Sequence, residues 1–165
     1  MRTSIVFLAG LLAGLLLAPT VPTSLAQGSR LTGMDGVNHV GIFVDNFDEN
    51  LAFYTQKMGF HEAFTVRDDK GQPTLAYIQV SPNTFVELQP AGPNRPVGIS
   101  HVGLQVEDIH ATIASLKQRG VTVEEPRVSS TKSLIANISA PSGVRIELSE
   151  LTPESLQRKA INSWK

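Results

Sequence analysis

The stretch VNHVGIFVD at residues 37–45 recurs as ISHVGLQVE at residues 99–107, an offset of 62 residues (99 minus 37). Both stretches contain His-Val-Gly followed by a second valine, and most of the other pairs are conservative. A further match pairs FVEL at 85–88 with RIEL at 145–148, an offset of 60 residues (145 minus 85). Because the two matches recur in the same order at nearly the same period, the sequence indicates a duplicated module.

Each copy predicts the same order of elements. Period-two alternation indicates a strand at 37–44, and apolar residues at helical spacing (Phe47, Leu51, Tyr54 and Met58) predict a helix that Gly59 ends. The predicted strands are 37–44, 60–67, 74–80 and 84–89, then 99–106, 121–125, 133–139 and 144–149, with a second helix at 108–119. The sequence therefore predicts an α+β fold of two tandem βαβββ modules, module 1 at 37–90 and module 2 at 99–150. A C-terminal helix is predicted within 151–165, with Thr152 as its cap and Pro153 at its first position.

The composition of the chain limits which ligands it can bind and which functional groups it can use. The 165 residues carry a net charge of -1, which gives no electrostatic reason to expect binding to nucleic acid. The sequence contains no cysteine, so disulfides, thiolate metal sites and cysteine nucleophiles are excluded. Any metal ion must therefore be held by histidine, carboxylate and water.

The first 26 residues predict a secretory signal peptide. Arg2 precedes an apolar run from Ile5 to Ala18, and small residues precede a predicted cleavage site between Ala26 and Gln27. An uncleaved membrane anchor is the alternative, but the run is short against the ~20 residues that span a bilayer. We expect an exported protein, periplasmic or secreted, with a flexible segment at 27–35 and no stable membrane insertion after cleavage.

Strand alternation places four potential metal ligands on the same side of the predicted sheet. His39 and His101 lie on the face opposite the aliphatic residues of their strands, and Glu87 and Glu147 do the same in theirs. Each module thus presents one imidazole and one carboxylate on the face opposite its helix. The equivalent positions in the two modules predict a shared site for one divalent metal ion.

Other residues refine this hypothesis. Gly41 and Gly103 follow the two histidines by two residues on the same face, and we interpret the missing side chains as room for a ligand. His61 and His110 have no counterpart in the other module and are predicted to be surface residues.

The donor set suits a hard or borderline ion, and Ni, Co, Zn, Mn and Fe are not distinguished. One glutamate would leave the metal to act as a base. Arg145 precedes Glu147 by two residues and would favour its charged form, whereas Glu87 has Phe85 and Gln89 as same-face neighbours. We therefore expect Glu87 to be the more basic, mobile carboxylate and Glu147 the firmer ligand, with both glutamates catalytic.

The pattern resembles the vicinal oxygen chelate superfamily, which includes glyoxalase I, methylmalonyl-CoA epimerase, extradiol dioxygenases and bleomycin-resistance proteins. The two His-Val-Gly segments resemble the first ligand strand of each module, and PSGVRIEL at 141–148 is similar to the final one. The resemblance covers residues 36–150. It implies a cupped mixed sheet around a metal, with Glu147 as the last ligand.

The resemblance also implies the function. Four ligands favour a lyase or isomerase of the glyoxalase or epimerase type that acts on a small molecule. Phe43 and Ala91 replace the arginine and asparagine that bacterial glyoxalase I uses for glutathione, so lactoylglutathione formation should be weak. An extradiol-type dioxygenase and a non-catalytic binding protein remain alternatives. A homodimer is possible, and the site could close within one chain or across two.

Overall fold

The computed structural model describes residues 30–165. The strands are β1 Met34–Val44, β2 His61–Arg67, β3 Pro73–Ser81, β4 Thr84–Pro90, β5 Gly98–Val106, β6 Arg127–Val128, β7 Leu134–Ser139 and β8 Arg145–Glu150. The helices are α1 Phe47–Ala52, which continues as a π-helical turn over Phe53–Lys57, α2 Ile109–Gln118 and α3 Leu156–Ser163. In this range the strands form one sheet in the order β2-β3-β4-β1-β5-β8-β7-β6.

The sheet has the same order in both modules when it is followed outward from its centre. β1 and β5 pair antiparallel at the centre. β4 lies parallel to β1, and β8 lies parallel to β5. The remaining pairings are antiparallel, so the sheet is mixed. The predicted α+β fold of two tandem βαβββ modules is confirmed.

Helix α1 covers one face of module 1. Asn46 caps it by accepting a hydrogen bond from the Glu49 N–H. Its apolar residues pack against a buried cluster of Val44, Ile78 and Leu88; they are Phe47, Leu51 and Tyr54. Met58 was predicted to continue this apolar stripe but is 50% exposed, because the helix widens into the π turn before Gly59 ends it at φ +75°.

Helix α2 covers the same face of module 2, and α3 covers the opposite face of module 1. Asp108 caps α2, which buries Ile109, Ile113 and Leu116. Ala160 of α3 packs in a separate cluster that contains Leu75, Tyr77 and Phe85. These three residues alternate along β3 and β4 with those that face α1. The C-terminal helix therefore lies on the face that carries the predicted metal ligands.

Two predicted element positions in the second half are wrong. The strand predicted at 121–125 is irregular, and β6 forms at Arg127–Val128 instead. Val123 is buried in the α2 cluster, and Pro126 has no N–H to donate to a strand ladder. Thr152 does not cap α3; its hydroxyl donates to Lys132 O at 2.9 Å, and Ser155 caps the helix instead.

The N-terminal boundary also differs from the prediction. Met34 pairs with Val106, and Gly33 O accepts a hydrogen bond from the Glu107 N–H. The end of the predicted flexible segment at 27–35 therefore belongs to β1, because β5 is long enough to pair with it. The predicted signal peptide at 1–26 lies outside the described residues. Among residues 30–165, no helix combines the length and apolar character needed to cross a membrane.

Candidate metal centre

The structure brings the four predicted ligands together within one chain. His39 and His101 lie on the adjacent central strands, and Glu87 and Glu147 lie on the strands that flank them. The two Nε2 atoms are 2.9 Å apart, and His101 Nε2 is 3.1 Å from Glu87 Oε2. His39 Nε2 is 3.6 Å from Glu87 Oε2 and 3.6 Å from Glu147 Oε1. All four residues are buried.

These separations fit the donor set of one ion. Ligand atoms held at about 2.0–2.2 Å from one metal lie roughly 3.0–3.6 Å apart in tetrahedral or octahedral geometry. His39, Glu87 and His101 each place one ligand atom within 4.8 Å of the other two. Glu147 reaches this group through its 3.6 Å approach to His39. The residues therefore fit a divalent metal ion with three close donors and a fourth at the edge.

The two glycines have a different role from the one predicted. In the β1–β5 pairing, Gly103 lies opposite His39 and Gly41 lies opposite His101. A Cβ atom on Gly103 would overlap the His39 ring, and one on Gly41 would overlap the His101 ring. The missing side chains therefore make room for the imidazole of the other module, and the expectation that they leave space for a ligand is corrected.

The side chain of His39 is held in the form that can bind a metal through Nε2. Asn38 Nδ2 donates to Asn83 O and to Gln105 Oε1, which leaves its Oδ1 to accept from His39 Nδ1 at 3.2 Å. Burial lowers the pKa of His39 to about 4, outweighing the attraction of Glu87. The imidazole is therefore neutral at neutral pH, as a metal ligand must be.

His101 is held differently. Its Nδ1 lies 2.8 Å from Ser100 Oγ and 2.8 Å from Arg145 Nη2. A guanidinium can only donate, so this Nδ1 accepts and the proton of the neutral ring sits on Nε2, facing Glu87. Coordination through Nε2 would move that proton to Nδ1, where Ser100 can accept it but Arg145 cannot.

The two carboxylates have opposite pKa shifts. Burial alone would raise the pKa of Glu87, but the hydrogen bond from His101 and favourable electrostatic interactions with the two imidazole rings lower it overall. Gln89 Nε2 also donates to Glu87 Oε1 at 2.6 Å. Burial raises the pKa of Glu147, and the charge of Glu87 adds to that effect. In the metal-free protein these pKa shifts run opposite to the predicted order, in which Glu87 is the more basic carboxylate.

This reversal has a structural cause. The guanidinium of Arg145 hydrogen-bonds to His101 Nδ1, and the effect of its charge on Glu147 is smaller than the effect of burial. The hydrogen bond from Ser149 to Glu147 is 3.3 Å long, which is weaker than the contact from Gln89 to Glu87. Glu87 is thus the more firmly held carboxylate and Glu147 the less firmly held one.

Sequence reasoning missed two buried residues behind Glu87. Tyr77 lies with its ring centroid 5.3 Å from that of His39, and its hydroxyl shares hydrogen bonds with Glu87 and Gln157. Burial raises the pKa of Tyr77 well above its usual value, so the phenol stays protonated. Gln157 comes from α3 and also accepts a hydrogen bond from Ser133 at 3.1 Å. Neither residue belongs to a repeated motif, so no sequence signal identified them.

Glu87 and Glu147 line a cavity of about 480 Å³. The rest of its lining includes apolar and aromatic residues from module 1, and arginines and hydroxyl groups largely from module 2 and the linker before it. His39 and His101 are buried and reach this site through their contacts with the glutamates. His61 and His110, predicted to be surface residues, are exposed. A small molecule in this cavity would therefore contact both predicted carboxylate ligands.

Comparison with known proteins identifies a family and several relatives. A family model described as "Glyoxalase/Bleomycin resistance protein/Dioxygenase superfamily" matches residues 36–148, so α3 lies beyond the match. The uncharacterized protein YaeR of Escherichia coli K12 is 28% identical over 128 residues, which cover 73% of this chain and 99% of YaeR. A probable lactoylglutathione lyase of Vibrio parahaemolyticus is 29% identical over 119 residues, which cover 67% of this chain and 86% of the lyase.

A solved structure shows the same architecture. Methylmalonyl-CoA epimerase from Mycobacterium tuberculosis superposes with a TM-score of 0.65 at 26% sequence identity. The superposition covers 76% of this chain and 93% of the epimerase.

Proposed function

Because the chain belongs to the glyoxalase/bleomycin resistance protein/dioxygenase superfamily, we propose that it is a metal-dependent lyase or isomerase acting on a small, oxygen-rich molecule. The clustering of two imidazoles with two carboxylates that line a cavity supports this proposal most directly. Its relatives include proteins named as a lyase and as an epimerase. Both classes of reaction can proceed by moving a proton at carbon.

The donor set defines the chemistry that we propose. When bound by His39, Glu87, His101 and Glu147, a divalent ion would polarise the substrate oxygens and acidify a neighbouring C–H bond. The imidazoles bind as neutral donors, and the two carboxylates balance the charge of the ion. Water would fill the positions that the protein leaves open.

We assign proton transfer at carbon to Glu147. A base must turn toward the carbon whose proton it takes, and the less firmly held carboxylate can do so at lower cost. Glu87 contacts both imidazoles and accepts a hydrogen bond from Gln89. Glu147 contacts one imidazole and one hydroxyl and lines the open cavity. Glu87 therefore holds the site together, and Glu147 moves the proton.

Metal content tests the site. The purified protein should be stripped with a chelator, reloaded separately with Ni, Co, Zn, Mn and Fe, and analysed for bound metal. We expect about one ion per chain, with a strong loss of affinity in His39→Ala and His101→Ala. His61→Ala and His110→Ala are matched controls that should retain wild-type metal content. Unchanged metal content in both His39→Ala and His101→Ala would refute the site, and a wild-type protein that takes up no metal would favour a binding protein without turnover.

The substrate preference has a testable consequence. Phe43 lines the cavity at the position where glutathione-dependent relatives are expected to carry arginine. We therefore expect the metal-loaded protein to convert the methylglyoxal–glutathione adduct slowly or not at all, as followed by absorbance of the thioester product. Efficient conversion would instead identify the protein as a glyoxalase I.

One observation favours a second candidate function. The three donors that lie closest together, His39, Glu87 and His101, form the two-histidine, one-carboxylate set of non-haem iron oxygenases. An extradiol-type dioxygenase would consume oxygen with catechols when loaded with ferrous iron. In that case Glu147→Gln would leave metal content and oxygen uptake near wild-type values, whereas the lyase or isomerase requires Glu147.

We further propose that the protein acts outside the cytoplasm. The apolar run and the small residues before Gln27 support cleavage by a signal peptidase. N-terminal sequencing of protein recovered from the periplasm or the medium should start at Gln27. A membrane-bound form that retains Met1 would contradict export with cleavage.

A further inference from the structure

The cavity combines apolar surface with hydrogen-bond donors. Module 1 contributes Phe43, Leu75 and Tyr77. The lining also contains three arginines, Arg95, Arg127 and Arg145, together with hydroxyl groups. The hydroxyl-bearing residues are Ser100, Ser129, Ser130 and Thr131. A ligand that fills this space would meet both kinds of surface.

The charges of the cavity do not balance. Its lining contains three guanidinium groups and two carboxylates. A divalent ion on the two glutamates would offset their charge and leave the three arginines as surplus. Among the described residues, none of the three forms an ion pair with a carboxylate. This positive cavity lies in a chain whose net charge is -1.

Each arginine approaches the cavity from a different element. Arg145 comes from β8, two residues before Glu147. Arg127 comes from β6, where it pairs with Ile135 of β7, which also lines the cavity. Arg95 comes from the linker between the modules, with its guanidinium carbon 5.9 Å from the centre of the Phe43 ring. Their convergence therefore arises from the fold and is not a local run of basic sequence.

Arg145 lies next to the proposed metal ligands. Its Nη2 atom is 2.8 Å from His101 Nδ1, so the cationic part of the cavity lining begins beside the donor set.

We propose that the substrate carries an acid group, a carboxylate or a phosphate, in addition to the oxygens that bind the metal, and that Arg127 and Arg145 bind this group. The proposal rests on the proposed function, because it places the remaining oxygens at the metal. Guanidinium groups bind such anions through paired hydrogen bonds, and the nearby hydroxyls supply further donors. Arg95 lies beside Phe43 at the linker and adds positive charge to the same cavity.

Two matched ligands isolate the acid group. Acetohydroxamate is neutral and chelates a metal through two oxygens, and succinate monohydroxamate has the same chelating group with an added carboxylate. Calorimetric titration of the zinc- or nickel-loaded protein should show about tenfold or tighter binding of the acid-bearing ligand. Arg127→Gln and Arg145→Gln should each remove most of that difference, and Arg127→Gln, which is changed away from the donors, should bind acetohydroxamate with near wild-type affinity.

Controls separate this effect from general changes of charge. Arg67→Gln removes an arginine that hydrogen-bonds to Gly71 O on a distant turn, and it should preserve the tenfold preference. Metal content is measured for every variant, because Arg145 touches a proposed ligand. Within residues 30–165, Arg127 forms no hydrogen bond or ion pair with the four donors. Its variant therefore tests the acid site without altering the metal.

The outcomes are distinct. If both hydroxamates bind the metal-loaded protein with equal affinity and the arginine variants change neither, the acid-group proposal is wrong and the metal site stands. If the protein takes up no metal and binds neither hydroxamate, the proposed function fails, and the acid-group proposal fails with it. A preference for the acid-bearing ligand that Arg127→Gln abolishes supports both.

Discussion

The two modules have the same residues at the bottom of the cavity and different residues on its walls. His39 and Glu87 in module 1 correspond to His101 and Glu147 in module 2. At other equivalent positions the two modules carry different residues. Tyr77 corresponds to Asn137, because each is the cross-strand partner of its module's glutamate. Phe85 corresponds to Arg145, because each is the cross-strand partner of its module's histidine. Helix α3 covers the aromatic wall of module 1. The wall of module 2 remains open and cationic.

This difference shows how one repeat can give two unequal halves of a site. Strand register fixes where the donors lie, and it is the same in both modules. The neighbours of each donor fix how firmly it is held. Glu87 lies beside a buried tyrosine and accepts from Gln89, whereas Glu147 has a longer hydrogen bond and an open wall. The duplicated carboxylates therefore take unequal roles in the proposed reaction.

The largest effect is expected where the modules are equivalent. Gly41→Ala and Gly103→Ala would each push a Cβ into the imidazole of the other module. Because the core is close-packed, we expect each variant to lose tight metal binding and roughly 1–3 kcal/mol of unfolding free energy. Metal analysis and urea unfolding measure the two effects.

Gly92→Ala is the matched control, since its Cβ would lie 3.7 Å from the Arg95 side chain. It should behave like wild type in both measurements. If only one of the two strand glycines proves sensitive, the equivalence of the modules at the centre of the sheet is wrong.

Replacing each glutamate in turn with glutamine tests whether the two carboxylates have different roles. Glu87→Gln should lose metal, because Glu87 contacts both histidines. Glu147→Gln should retain most of the metal and lose about 100-fold or more in proton transfer, as is usual for removal of a general base. Metal content is measured alongside exchange of a substrate C–H proton with deuterium by NMR. The opposite pattern would make Glu87 the base, as the sequence alone suggested.

Substitution of the residues next to the carboxylates should also have different effects in the two modules. Tyr77→Phe removes the hydroxyl shared by Glu87 and Gln157 and leaves a buried amide unpaired. We expect a loss of about 1–3 kcal/mol in unfolding free energy together with weaker metal binding. Asn137→Ala changes the equivalent position in module 2, where the side chain bonds to exposed Glu124, and should leave metal binding unchanged. Gln157→Ala should reproduce the effect of Tyr77→Phe if α3 acts through the tyrosine.

The smallest effect, counted per pH unit, is a pH dependence of the metal-free protein. The pKa of His39 is about 4 in the folded state against its usual value of 6.5. Between these values the unfolded chain binds a proton that the folded protein does not, so unfolding free energy falls as pH decreases from 6.5 to about 4. The slope from this group is at most about 1.4 kcal/mol per pH unit. Urea unfolding of protein stripped of metal by a chelator measures this slope of unfolding free energy against pH. The slope should be shallower in His39→Gln, whereas His61→Gln should match wild type.

The features that depend on local periodicity could be predicted from the sequence. Alternation along the strands placed His39 and Glu87 on one face, and the repeat gave their partners in module 2. Contacts between distant residues were not predictable in this way. Tyr77 meets Gln157 across 80 positions (157 minus 77), and neither residue has an equivalent that marks it. The pKa shifts of the two carboxylates in the metal-free protein were not predictable for the same reason, because they depend on burial and on the hydrogen bond from His101 to Glu87.

The pairing of β1 with β5 carries a consequence for the origin of the chain. Each His-x-Gly segment is complementary to a copy of itself, since the glycine of one receives the ring of the other. A peptide of one module, with a single histidine, glycine and glutamate, would assemble the same four donors by pairing with an identical peptide about a two-fold axis. In such a symmetric dimer, every wall substitution would appear twice. When the copies are joined in one polypeptide, each can change separately. A single cavity can then be lined by aromatic residues from one module and by arginines largely from the other.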